Sequence, residues 1–294
     1  MNALGRLGFA AGTTLAVVHA DDIGMSHSAN VGAFEALANG PATCGSVMVP
    51  CPWFAEAAQW AQDGRDADLG VHLTLNAEYD GYKWGPTAGR TSVPSLVDET
   101  GYLYATSRET VKYGSAEDVE TELRAQIDTA LDAGIDVTHL DSHMGTVFHP
   151  KFFDVYLNLA RQYRLPLFLP RAVSGEPPVD DELPADDGLG VMEAEGFLIF
   201  DSYCADSLSF EPGEGRPHNE RRLQNLAPGL NYLICHPAQA GDELSAITDT
   251  AHNREFERTF YGGEAGRTAL AEAGIETIGM RPLRDLLRSQ PANS

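Results

Sequence analysis

The sequence predicts an α/β fold, an irregular or incomplete TIM-like (β/α) barrel, in a single domain over residues 1–294. Two observations predict it. About eight short apolar, partly β-branched runs alternate with helix-like stretches, the pattern of parallel strands joined by crossover helices. Polar residues able to do chemistry then stand at the C-terminal ends of those runs, where all the βα loops of a barrel converge. The length exceeds the usual single-core size but lies within the range of a one-domain barrel.

The first run, Leu15-Ala16-Val17-Val18, is too short for a typical helix and rich in valine, so it reads as a buried strand. It leads into His19-Ala20-Asp21-Asp22-Ile23-Gly24-Met25-Ser26, where Gly24 supplies a turn and Ser26 or Ser28 caps a helix from about Ala29 to Ala38. Further strands are expected at Thr43 to Val49, Leu69 to Leu75, Val137 to Leu140, Leu165 to Leu169, Phe197 to Phe200, Leu230 to Cys235 and Ile275 to Gly279. Helical patterns cover about Trp53–Gln62, Ala116–Ala133, Lys151–Tyr163, Asn219–Leu226, Asn253–Ala273 with a break near Gly262-Gly263, and Pro282–Arg288. Residues 76–115 hold no sustained period and read as a long loop insertion, rich in turn formers and in aromatics that argue against disorder. The acidic, proline-rich stretch from Ala172 to Gly188 reads as a second loop.

With 43 acidic against 20 basic residues and a net charge of −23, the chain lacks the positive field that nucleic acid or an anionic membrane surface requires. No run approaches the roughly 18 apolar residues of a membrane span. Cys44, Cys51, Cys204 and Cys235 form no CxxC pair and read as reduced thiols of a cytoplasmic protein. The segment from Arg6 to Gly12 is only weakly like a signal peptide, its apolar stretch being broken by glycines.

Adjacent Asp21 and Asp22 at a strand end are costly unless something positive lies between them, because like charges a few ångströms apart disfavour ionisation. A divalent metal ion removes that cost; a solvated Asp-Asp turn is the plain alternative. His72, Asp141 with His143, Arg171, Asp201 and His236 fall at other predicted strand ends. Asp22, His72 and His143 together would make a site of one carboxylate and two imidazoles with a position left open for water, as in catalytic zinc centres, and so support hydrolysis. Taken singly, either histidine would as readily be a packed core or loop residue, since ligands on separate strands keep no fixed spacing.

His19-Ala20-Asp21-Asp22-Ile23-Gly24-Met25-Ser26, Gly70-Val71-His72-Leu73-Thr74-Leu75 and Thr138-His139-Leu140-Asp141-Ser142-His143 resemble, in order, the three signature motifs of the YdjC-like (ChbG-type) carbohydrate deacetylases. The resemblance covers most of the chain and is strongest before Pro150. It implies an irregular (β/α) barrel, one divalent metal ion per chain (zinc or magnesium), and removal of acetyl groups from N-acetylated sugars or oligosaccharides. Position by position, it makes Asp21 the catalytic base, Asp22, His72 and His143 the metal ligands, and Arg171 and His236 the assisting arginine and histidine. In that scheme Arg171 holds Asp21 ionised, and His236, as imidazolium, protonates the departing amine. His19 stands where the family more usually has asparagine, and the continuation Met144-Gly145-Thr146-Val147-Phe148-His149 is less histidine-rich than the family's. A homo-oligomer is compatible with this reading.

His19, His139 and Asp141 read as supporting residues, Asp141 as the carboxylate that takes the second N–H of a metal-bound imidazole. His27, His149, His218 and His252 join no constellation. The aromatics Tyr82, Trp84, Tyr102 and Tyr104 of the long loop would form either a wall for sugar rings or a satellite cluster that pins the loop. Two other classes fit the same residues: another metal-dependent hydrolase on this scaffold, such as a phosphoesterase, and a sugar-binding protein without catalysis. The first lacks a clustered Lys/Arg set or a glycine-rich phosphate loop; the second leaves a base and a full ligand set unused.

Overall fold

A computed structural model of the protein describes residues 2–63, 67–172 and 186–290. Its centre is strand β1 (Thr14–Ile23), in which every residue after Thr14 is buried. Such a strand must be covered on both faces, which is why its apolar run is continuous and does not alternate. The other strands are β2 (Cys44–Val47), β3 (Leu69–Leu73), β4 (Leu140–Ser142), β5 (Ser202–Cys204), β6 (Gly229–Cys235) and β7 (Ile275–Thr277). All pairings are parallel, in the order β4-β3-β2-β1-β6-β5, with β7 set against the start of β1. Helices fill the connections, among them His27–Asn39, Phe54–Gln62, Ala116–Asp132, Pro150–Tyr163 and Ala251–Tyr261.

The sheet is curled into a half-barrel. The expected strands at Leu165–Leu169 and Phe197–Phe200 are not regular strands: they make single parallel bridges, Leu140 to Leu167 and Pro170 to Phe200. Pro166 removes an N–H donor from the first of these segments and Pro170 another just after it, so no ladder is sustained there. The second begins its pairing later, as β5. A complete eight-stranded barrel is therefore not formed by the described residues.

The helices fall close to their expected bounds, and the break near Gly262-Gly263 separates Ala251–Tyr261 from Glu264–Glu272. The long loop contains the helix Ser107–Tyr113, whose N-terminus is capped by a capping box between Thr106 and Glu109. Most of the second expected loop lies outside the described residues. All four cysteines are free and buried, and no described helix is long and apolar enough to cross a membrane.

Candidate active site

Successive residues of a regular strand point to opposite faces, yet Asp21 and Asp22 line one cavity. Two local distortions bring them together. The pairing of β1 with β2 shifts register between Ala20 and Ile23, the signature of a bulge that re-aims side chains. Asp22 itself takes φ 63°, the left-handed region that a residue with a Cβ enters only under constraint. Gly24, at φ 93°, then completes the turn where a Cβ would crowd the Met48 carbonyl at 3.2 Å.

The cavity, of about 230 Å³, lies at the C-terminal ends of the strands and is lined by Asp21, Asp22, His72, His143, His236 and Arg254, with Phe148, Phe168 and Tyr203 among its apolar walls. Asp22 Oδ1 is buried and has no hydrogen-bond partner among the described residues. It faces His72 Nε2 and His143 Nδ1, each 3.5 Å away. The ligand atoms of this trio lie within 4.8 Å of one another. An orphaned buried carboxylate oxygen aimed at two imidazole nitrogens fits a divalent cation, and the donor set of two nitrogens and one oxygen suits zinc by ligand type.

The outer nitrogens of both imidazoles are held. His72 Nδ1 lies 2.9 Å from Asp141 Oδ2, which also accepts from the Ser46 hydroxyl at 2.9 Å. His143 Nε2 lies 3.0 Å from Glu78 Oε2. Burial alone would raise the Asp22 carboxyl, but Arg254, His143 and His236 outweigh it and hold it well below the usual range. Burial likewise opposes charge on His143, yet Glu78 and Asp22 overcome it and raise the imidazole to about 10. Glu78 and Asp22 thus make the surroundings of His143 negative, a setting that attracts cations.

Asp21 Oδ2 lies 4.0 Å from His72 Nε2 and 3.8 Å from His236 Nε2. His236 Nδ1 is 2.7 Å from the Ser207 hydroxyl, and its backbone N–H donates to Glu257. Burial is the main influence on His236 and lowers it to about 4. That corrects one expectation: His236 is not a standing imidazolium at neutral pH.

Asp21, Asp22, His72, His143 and His236 are therefore brought together, and Arg171 is not. Its guanidinium is exposed and pairs with Glu193 at 2.6 Å, so the expected contact with Asp21 is absent. The cavity's guanidinium is Arg254, whose Nη1 donates to Asp22 Oδ2. Arg254 sits on a helix and carries no strand-end signal, whereas Glu78, just past β3, could have been found by the rule that picked His72.

Of the two roles open to the aromatics of the long loop, their contacts fit the satellite cluster that pins it. Trp84 is 2% exposed and donates its indole N–H to the Asn76 carbonyl. Tyr82 bonds the Met25 carbonyl, Tyr104 packs on Tyr113, and none of the four aromatics lines the cavity.

Comparison with known proteins identifies the family. The family model described as "YdjC-like protein" matches residues 15–272. A carbohydrate deacetylase of Thermus thermophilus is 35% identical over 257 residues, covering 85% of this chain and 86% of that protein. One from Geobacillus stearothermophilus is 29% identical over 269 residues, 90% of this chain and 96% of the other. A crystal structure from Enterococcus faecalis V583, of a protein named for cellobiose-phosphate cleavage, superposes with a TM-score of 0.76 at 25% identity, over 92% of this chain and 99% of that one. By sequence over most of its length, the chain belongs to the YdjC-like family.

Proposed function

We propose that the protein is a metal-dependent carbohydrate deacetylase that hydrolyses the acetamide of an N-acetylated sugar or oligosaccharide. The observation that carries this reading is the orphaned Asp22 Oδ1 between His72 and His143, with Asp21 and His236 opening on the same cavity. A divalent cation held by Asp22, His72 and His143 supplies, when bound, polarisation of the acetyl carbonyl and acidification of water.

The chain's own groups handle the protons. Asp21, through Oδ2, takes a proton from the attacking water as the new C–O bond forms. His236 Nε2, 3.8 Å from that oxygen, receives the proton and passes it to the sugar nitrogen as the C–N bond breaks, leaving acetate and an amine. Because burial keeps His236 neutral beforehand, the proton it donates is acquired within the cycle. An amide nitrogen leaves only when protonated, so this transfer is required for turnover.

Acetate release from N-acetylglucosamine oligomers, with and without a chelator, tests the reading. Asp21→Asn should lower turnover by about 100-fold or more with the metal retained, whereas Asp22→Asn should lose the metal. Identical behaviour of the two variants would remove the division of labour, and no acetate from any acetylated sugar would remove the activity.

A further inference from the structure

We propose that His19 is the positioning residue for Asp21, and that a hydrogen-bonded chain through His139 and Thr138 sets the protons of His19 so that it donates to that carboxylate. The proposal rests on the role given to Asp21 above. Sequence reading assigned this support to Arg171, which is elsewhere, and Arg254 serves Asp22 instead.

His19 and Asp21 are two residues apart on β1 and so share a face. His19 Nδ1 meets Asp21 Oδ1, which leaves Oδ2 for the cavity. The other nitrogen of His19, Nε2, is 2.8 Å from His139 Nε2. Of two imidazole nitrogens in contact, one must donate and the other accept. His139 Nδ1 is 2.9 Å from the Thr138 hydroxyl. With that hydroxyl donating to His139 Nδ1, His139 carries its proton on Nε2 and donates to His19 Nε2. His19 then keeps its proton on Nδ1, aimed at Asp21. Burial, with His19 beside it, lowers His139 to about 3 and keeps it neutral, as this direction requires.

The geometry leaves neither ring free to turn. His19 is fully buried and stacks on Tyr232 at 4.9 Å. His139 lies against Gly70, where an added Cβ would come within 2.6 Å of its ring, so the glycine makes the room. His19 does not line the cavity, so it acts on the reaction only through Asp21.

Three variants and one spectrum test this. In His19→Ala, kcat should fall about 10- to 100-fold, the scale of a misplaced reacting group, with KM and metal content unchanged. His19→Asn, whose amide N–H can reach the carboxylate, should recover part of that loss. Thr138→Val keeps the shape, lies two side chains away from Asp21 and should lower kcat several-fold with KM unchanged. In the metal-free wild type, 15N imidazole spectra should show the His19 proton on Nδ1 and the His139 proton on Nε2. Full kcat in a folded His19→Ala protein, equal activities of His19→Asn and His19→Ala, an unaffected Thr138→Val, or a His139 proton on Nδ1 would each overturn the proposal. If the wild type releases no acetate, the deacetylase reading fails by itself, and the spectrum still decides the hydrogen-bond chain.

Discussion

Arg254 Nη1 donates to Asp22 Oδ2 across 2.8 Å, tying the helix Ala251–Tyr261 to the end of β1 over a sequence separation of 232 residues. Both side chains are almost fully buried. The contact occupies one carboxylate oxygen and leaves the other for a cation, so it sets which lone pairs Asp22 can offer. Removing one partner of a buried pair strands the other charge, at a cost of about 3–5 kcal/mol. Arg254→Leu should therefore lower the stability of the metal-free protein in urea by about that amount, with part of the loss recovered on adding zinc. An unchanged unfolding midpoint would show that the pair is solvated in solution.

Glu78 holds His143 from outside the trio of Asp22, His72 and His143. A carboxylate on the second nitrogen of a metal-bound imidazole sets its tautomer and raises its basicity, and losing one costs about 10- to 100-fold in metal affinity. Glu78→Ala should weaken zinc by that factor in competition with a chromophoric chelator. Glu78→Gln, which keeps an acceptor at the 3.0 Å contact, should lose less; equal affinities in all three proteins would mean that Glu78 does not orient the ring.

Trp84 is a packing residue of the long loop, buried and bonded to Asn76. Large-to-small changes at such sites cost about 3–5 kcal/mol. Trp84→Ala should lower the thermal midpoint by several degrees or more while KM for an N-acetylated oligosaccharide stays within about twofold. A raised KM at full stability would return the side chain to the substrate wall.

Glu257 supplies a pH dependence away from the ligand trio. Fully buried, its carboxyl is pushed up to about 7 by burial, against the pull of Arg222. The folded state thus holds a proton that the unfolded chain releases near pH 4.5. Stability from this group is fully present below that pH and is lost as the pH rises through about 7. At about 1.4 kcal/mol per unit, the loss is up to about 3 kcal/mol. Urea unfolding from pH 5 to 8 should show a decline in the wild type that Glu257→Gln lacks; parallel curves would contradict it.

Much of this was legible in the sequence because it depends on local pattern. Valine-rich runs bounded by turn formers can hardly be anything but buried strands, and in a parallel α/β fold the groups at their C-terminal ends must converge. Asp21, Asp22, His72, His143 and His236 all satisfy that rule, as Arg171 and Asp201 do, and the family resemblance singled out their roles. What the rule cannot reach is the third dimension of each contact. Arg254 approaches from a helix, and its place beside Asp22 exists only once that helix packs against His27–Asn39, the helix that follows β1. Arg171 satisfies the strand-end rule yet turns to Glu193, because position along a strand does not fix which way a long side chain leans. That two adjacent aspartates share a cavity depends on a register shift and a left-handed residue, neither of which an alternating pattern reveals. The partner of His19 lies 120 positions away, and only the packing of β1 beside its neighbours decides that the two imidazoles meet.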